Sequence, residues 1–141
     1  LLGTLRSAGV ALAGAEALEV ARVEACIPAW TPDLKPGLSP AEADLDVLLG
    51  IPGGREGRIL AAFLLEGPVA APGTAVTDDA GRRVGEVRSC VQAWGLKGAA
   101  GLAIIDAAAA YPGAALAAGG ARLLVAAKPL YRRRTEGSAR W

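Results

Sequence analysis

The chain has 141 residues, a length that corresponds to one domain with a sizeable core. Its 15 Lys and Arg nearly balance 14 Asp and Glu, so the net charge argues neither for a general nucleic-acid coat nor for an acidic tail. There is no His, which excludes Ser-His and Cys-His catalysis and any zinc site that uses His. We therefore predict no catalytic residue, no metal site and no cofactor for this chain by itself.

The first fifty residues predict two helices joined by a Pro-rich loop. The stretch "LAGAEALEVARVEAC" contains good helix formers, and Pro28 is expected to end the helix. In "SPAEADLDVLLG", Ser39 as N-cap and Glu42 three residues later form the pattern of a capping box, and Gly50 suits the exit of the helix. We expect Trp30, in the loop between the helices, to seal the end of a core. Residues 1–50 are interpreted as a helical remnant and residues 51–141 as a second domain.

Strand signals dominate after residue 50. Five apolar or alternating segments predict strands: "RILAAFLLEG", "TAV", "RRVGEVRSCVQ", "GLAIID" and "RLLVAAKPLY". Turn residues separate them, namely Pro72-Gly73, Pro112-Gly113 and the hairpin tip "DDAG". About six short strands at this spacing predict a small antiparallel barrel over roughly residues 58–131. The fold class is therefore α+β, with a short helical segment followed by the barrel.

Alternation in "VGEVRSCV" predicts which side chains of one strand face the core. One set is expected to face the core: Gly85, Val87, Ser89 and Val91. The other set is expected to face away from it: Val84, Glu86, Arg88 and Cys90.

Three further features of the sequence give expectations about ligands and solvent. Cys26 and Cys90 lie 64 residues apart, which fits neither a metal clamp nor a disulfide framework, so both are expected to be reduced and buried. The longest uncharged run, "AAAAYPGAALAAGGA", is too short and too weakly apolar to cross a membrane. The spacing of Asp33, Asp44 and Asp46 fits no calcium loop, and these carboxylates are expected to be solvated.

Several motifs resemble the aminomethyltransferase superfamily, which includes the glycine cleavage T-protein and the YgfZ-like iron–sulfur maturation factors. "ARVEACIPAWTPDL" followed by "LSPAEADLD" resembles the family signature "R-[IL]-E-A-G-x-P … P-x-E-x-G-L". "GTAVTDDAGRRVGEVRSCVQAWGLKGAAGLAIID" is similar to the terminal barrel pattern of the family, and "AAKPLY" resembles its closing motif. The resemblance covers roughly residues 15–134 and only the C-terminal part of such proteins.

The resemblance implies where a folate would lie. The Arg-x-Glu-Ala turn borders the folate cavity in the family, so Arg22 and Glu24 are the folate-cavity candidates of this chain. Tetrahydrofolate would be the cofactor if an N-terminal part supplied the remaining cavity walls. From the residues alone, Arg22 can instead form an ordinary helix-surface pair with Glu19, which precedes it by three positions. The motif "K-G-C-Y-x-G-Q-E" of the YgfZ branch has no counterpart between Leu45 and Arg58, and Cys26 replaces the usual Gly.

Partner contacts are predicted at two places. Trp94 is expected at a loop tip of the barrel, where large exposed aromatics often mark interfaces. The tail "YRRRTEGSARW" concentrates positive charge beside an aromatic residue, and guanidinium groups bind carboxylates and phosphates in a bidentate manner. Its candidate contact residues are Arg132, Arg133, Arg134, Arg140 and Trp141. A protein is the expected partner, and RNA is the alternative.

The sequence is compatible with two functions. The first is a non-catalytic structural or assembly subunit within a larger complex. The second is the C-terminal part of a tetrahydrofolate-dependent aminomethyltransferase or of a YgfZ-like iron–sulfur maturation factor. The resemblance implies the mitochondrial matrix or another organelle interior as the location, with the bacterial cytoplasm as the alternative.

Overall fold

The computed structural model describes residues 2–50, 57–94, 96 and 98–130. Three helices come first: α1 Leu2–Ser7, α2 Ala15–Glu24 and α3 Asp46–Leu49. Six strands follow: β1 Arg58–Glu66, β2 Ala75–Thr77, β3 Arg83–Gln92, β4 Ala99–Asp106, β5 Ala115–Ala118 and β6 Ala121–Ala126. Within the described part of the chain, no helix combines the length and the apolar character needed to cross a bilayer.

The strands close into an antiparallel barrel in the order β1-β4-β3-β2-β5-β6. This confirms the predicted α+β class and the barrel of about six strands, including all five strands read from the sequence. The sixth strand, β5, was not predicted because it lies in the Ala-rich run "AAAAYPGAALAAGGA", and Ala is a weak strand former. Gly81 has φ +76° in the hairpin between β2 and β3, as expected for its tip.

Side chains of β1 alternate between two apolar environments. Ile59, Ala61, Phe63 and Leu65 fill the interior of the barrel. On the outer face, Leu60 and Ala62 pack with side chains of β4 and with the helical segment, including Leu38 and Cys26. Both faces of β1 are therefore buried, which explains why "RILAAFLLEG" reads as a continuous apolar run.

The end of α2 determines how the chain enters the following loop. Cys26 has φ +58°, its amide donates to the Val23 carbonyl at 2.9 Å, and the Ile27 amide donates to the Arg22 carbonyl at 2.8 Å. These two bonds form a Schellman motif with Cys26 in the left-handed position that glycine prefers. The cysteine thus occupies the position where the resembling signature has Gly.

The second predicted helix is present only in part. The capping box forms, because the Ser39 amide donates to Glu42 Oε2 at 2.9 Å and the Glu42 amide donates to Ser39 Oγ at 3.2 Å. Asp44 then takes φ +59° and interrupts the helix before α3 begins. Lys128 Nζ donates to Asp44 Oδ2 at 2.9 Å. The helix is therefore interrupted at a residue that contacts a distant part of the chain, and the local sequence did not predict this interruption.

Strand β3 contains two β-bulges that change which side chains face the core. The ladder skips Val84 opposite β2 and Arg88 opposite β4, and each extra residue reverses the alternation. Val87 faces the barrel interior as predicted, but Val84 and Cys90 also pack against that core. Ser89 is buried on the outer side, within 3.4 Å of Arg22 Nη1. The predicted assignment was therefore wrong for Val84, Cys90 and Ser89, and Val91 is only half-buried.

Candidate functional site

A cluster of charged side chains joins the helical segment to the outer face of the barrel. We call it the charged junction, and its members are Glu19, Arg22, Asp33, Glu86 and Arg88. Glu19 and Arg22 come from α2, Asp33 comes from the Pro-rich loop, and the other two come from β3. Because these elements are distant in sequence, the junction depends on the packing of the helical segment on the barrel.

Arg22 is held by two carboxylates. Its Nε donates to Glu19 Oε2 at 2.9 Å, Nη2 donates to the other oxygen of Glu19, and Nη1 donates to Asp33 Oδ2. The hydrogen bond from Arg22 lowers the pKa of Glu19. The guanidinium therefore acts as a bridge between α2 and the loop that follows it.

Asp33 is fully buried, with 0% of its surface exposed. Its Oδ2 also accepts a hydrogen bond from the Ala29 amide at 2.9 Å. Its Oδ1 has no hydrogen-bond partner among the described residues. The expectation that Asp33 would be solvated was wrong, because the ion pair with Arg22 compensates the loss of hydration.

Arg88 fixes the Pro-rich loop to β3 from the position of the bulge. Its Nη2 donates to the Pro32 carbonyl, its Nε lies 3.4 Å from the Asp33 carbonyl, and its Nη1 donates to Glu86 Oε1 at 3.0 Å. The side chain is buried. A bulge re-aims a side chain relative to a regular strand, and here it directs a guanidinium into the loop.

Glu86 receives three cationic side chains. Lys35 Nζ and Arg88 Nη1 each lie 3.0 Å from Oε1, and Arg83 Nη2 lies 2.9 Å from Oε2. The hydrogen bond from Lys35 is the largest cause of a lowered pKa of Glu86. The carboxylate is therefore ionised and occupied at neutral pH, which does not suit a general base.

An open cleft of about 520 Å³ lies beside the junction, and we call it the anterior cleft. Its charged lining comprises Asp33, Lys35, Arg58, Arg83, Glu86, Arg88 and Asp106. Its apolar lining includes Leu38, Val84 and Ile104. In the described part of the chain, no group of three or more His, Cys, Asp or Glu residues is placed to hold a metal ion.

The residues singled out from the sequence occupy different places. Arg22 lies in the charged junction, and Glu24 is the half-buried last residue of α2. Trp94 is 75% exposed just after β3. The tail candidates Arg132, Arg133, Arg134, Arg140 and Trp141 lie outside the described residues.

Two sequence expectations about burial need correction. Trp30 does not seal a core, since 77% of its surface is exposed; the Pro-rich loop turns it outward while Asp33 points in. The two cysteines are free, as predicted, but half-buried rather than buried. Burial raises the pKa of both thiols.

Asp33, Glu86 and Arg88 were not predicted from the sequence to belong to a common site. The one usable signal was the presence of a charged residue within an apolar strand, as in "VRSCV". The position of a bulge cannot be predicted from that pattern. The Pro-rich loop that Arg88 contacts lies about fifty positions earlier in the chain, so the spacing of residues does not reveal the contact either.

Comparison with known proteins places this barrel in a family. Residues 58–130, more than half of the chain, match the model described as CAF17, C-terminal beta-barrel domain. No curated protein sequence matches. The fold is similar to that in the crystal structure of glycine cleavage system aminomethyltransferase T from Bartonella henselae, with a TM-score of 0.71 and 18% sequence identity. That match covers 82% of this chain and 38% of the other.

The two matches agree on which part of such proteins is present. The structural match at this identity establishes the fold, and the family model extends from the start of β1 to beyond the end of β6. Together they confirm the resemblance to the C-terminal part of the aminomethyltransferase and YgfZ-like superfamily. The chain belongs to the family of the CAF17 C-terminal beta-barrel domain.

Proposed function

We propose that this chain is a non-catalytic structural unit of a larger assembly, built on the C-terminal part of an aminomethyltransferase-like fold. The observation that carries the proposal is the charged junction. Its acidic side chains Glu19, Asp33 and Glu86 are all engaged by cations, and two of their ion pairs, Asp33 with Arg22 and Glu86 with Lys35, join different elements of the chain. Catalysis by proton transfer would instead require a carboxylate positioned toward a substrate.

Exposed apolar side chains support an assembly role. Leu18 and Trp94 are 72% and 75% exposed, and the apolar side chains of Leu2, Val10 and Leu12 are also exposed. Among exposed side chains, Trp in particular is enriched at protein contacts. We propose a protein as the partner, with RNA as the alternative through the basic tail. The mitochondrial matrix, another organelle interior or the bacterial cytoplasm remains the expected location.

The second candidate function is the C-terminal part of a tetrahydrofolate-dependent protein. The similarity to aminomethyltransferase T favours it, because this chain corresponds to 38% of that one. In this case Arg22 and Glu24 would contribute to one wall of a folate cavity. A pocket for a ligand of this size buries most of the ligand surface, so further walls would have to come from elsewhere.

Quantitative co-purification tests the assembly role. The tagged chain is recovered from its source cells beside the variants Trp94→Ala and Trp30→Ala, which each remove an aromatic side chain of similar exposure. We expect Trp94→Ala to lower partner recovery at least several-fold, as truncation of an interface anchor does, and Trp30→Ala to change it little. Equal recovery with all three proteins would contradict the proposed contact.

The tail is tested separately by deleting residues 132–141. Partner recovery should fall while the melting temperature of the barrel stays the same. Nuclease treatment during purification distinguishes the two kinds of partner, because an RNA-bridged association would be lost and a protein contact would persist. Recovery that does not change after the deletion would contradict a role of the tail.

A further inference from the structure

The anterior cleft has the lining of a small-molecule site rather than of a simple packing defect. Its volume of about 520 Å³ falls in the range of pockets that hold small ligands. We propose that it binds a small organic anion, a carboxylate or a phosphomonoester carried on an apolar body. This inference goes beyond the assembly role and does not depend on it.

The anion would be bound by those N–H groups of Lys35 and Arg83 that do not donate to Glu86. Lys35 carries three N–H donors and Arg83 carries five. Among the described residues, Lys35 Nζ donates to Glu86, and Arg83 donates to Glu86 through Nη2 and to the Gly85 carbonyl through Nε at 3.4 Å. Both side chains are 61% exposed. The remaining N–H groups can therefore meet a ligand oxygen without first giving up the bonds to Glu86.

The acidic groups around the cleft do not cancel this preference. Glu86 is shared among three cations, and Asp33 is paired with Arg22. At the other end of the cleft, Arg58 lies directly across the β1–β4 ladder from Asp106 and forms an ion pair with Glu42, with 3.7 Å between Arg58 Nε and Glu42 Oε1. Four cationic residues and three acidic ones line the cleft, and the exposed N–H groups of Lys35 and Arg83 are where a carboxylate or phosphate would form charge-assisted hydrogen bonds.

The floor of the cleft selects a ligand that is more than a bare ion. Ile104 is a buried side chain of the outer apolar cluster and lines the cleft together with Leu38. A ligand with an apolar body would cover this surface and remove it from water.

Nuclear magnetic resonance titration of the ¹⁵N-labelled 141-residue chain tests the site. The probes are phenyl phosphate and phenylacetate, with benzyl alcohol as the uncharged analogue. We expect saturable shifts of the amides of Lys35, Gly37 and Leu38 and of residues 83–86 with at least one anion, and much weaker binding of the alcohol. Saturation by phenyl phosphate alone would assign a phosphomonoester ligand, and saturation by phenylacetate alone would assign a carboxylate.

Two neighbouring arginines provide a matched comparison. Arg83→Gln should weaken binding about tenfold, as expected for the loss of a charge-assisted bond. Arg82→Gln removes the same charge one position away, outside the cleft lining, and should have little effect. Lys35→Gln serves as the second test if Arg83→Gln does not fold. Equal weakening by Arg82→Gln, equally tight binding of benzyl alcohol, or no saturable shifts with either anion would overturn the proposal.

Discussion

Arg22 on α2 and Asp33 in the following loop form an ion pair whose acidic member is completely buried. The pair connects two parts of the helical segment, and Arg88 connects the same loop to the barrel through the carbonyls of Pro32 and Asp33. The loop is thereby held between α2 and β3. Loss of either attachment should affect how the helical segment packs on the barrel.

Replacement of Asp33 by Asn tests the ion pair. The change removes one of the two carboxylates that bind Arg22, and loss of a hydrogen bond to a charged group costs about 1.5–3 kcal/mol in the free energy of unfolding. Chemical denaturation measures the difference. Asp79→Asn, at the exposed hairpin tip, removes the same charge and should change stability by less than about 0.5 kcal/mol. If both variants lowered the free energy of unfolding equally, the buried ion pair would contribute no more to stability than an exposed carboxylate does.

The left-handed conformation of Cys26 predicts a preference for glycine. Cys26→Gly and Cys26→Ala both remove the sulfur atom, so the difference between them reports the backbone. With φ at +58°, the glycine variant should be more stable than the alanine variant by about 1 kcal/mol. Thermal denaturation of the two proteins checks the order, and an alanine variant as stable as the glycine variant would exclude this backbone strain.

Gly101 allows the Phe63 ring to pack across the β1–β4 ladder. A Cβ atom at Gly101 would lie 2.5 Å from Phe63 Cζ and would also overlap the Ser89 carbonyl oxygen. Gly101→Ala should therefore destabilise the barrel by about 1–3 kcal/mol through overpacking. Gly3→Ala, where a Cβ atom meets nothing within 4 Å, is the matched control and should not destabilise the protein. If Gly101→Ala left the stability of the barrel unchanged, the prediction would be wrong and the Phe63 ring would have room to move.

Acid should weaken the charged junction. Hydrogen bonds from Arg22 and Lys35 lower the pKa values of Glu19 and Glu86, respectively. A carboxylate whose folded pKa lies below its unfolded value adds stability above the unfolded value, here near 4.5, and loses it as pH falls through the folded value. The free energy of unfolding should thus decline below about pH 4.5. Glu86→Gln should reduce this slope more than Glu66→Gln does, and an equal reduction would exclude the contribution of Glu86.

Local signals in the sequence predicted a large part of the fold. The Ser39–Glu42 capping box and the turn at Gly81 depend on neighbouring residues, so their patterns identified them correctly. Strand β5 consists of Ala and Leu, which give no clear strand pattern. The bulges at Val84 and Arg88 depend on the register between strands, which no single strand encodes.

The candidate site was less predictable than the fold. Arg22 and Glu19 were recognised as a possible pair because they are three positions apart on a helix. Asp33 is the second partner of Arg22. It reaches Arg22 only because of the course that the Pro-rich loop takes. Glu86 and Arg88 enter through the packing of that loop on the barrel. These contacts are long-range in sequence, so residue spacing could not reveal them.

Calorimetric titration of the 141-residue chain with tetrahydrofolate tests the central claim most directly. A non-catalytic structural unit that offers at most one wall of a folate cavity should bind with a dissociation constant weaker than about 1 mM, which corresponds to only about 4 kcal/mol of binding free energy. Arg22→Gln, in the candidate wall, should leave the weak signal unchanged. Micromolar affinity of the chain alone, lost in Arg22→Gln, would contradict the structural role and support a folate site in this chain.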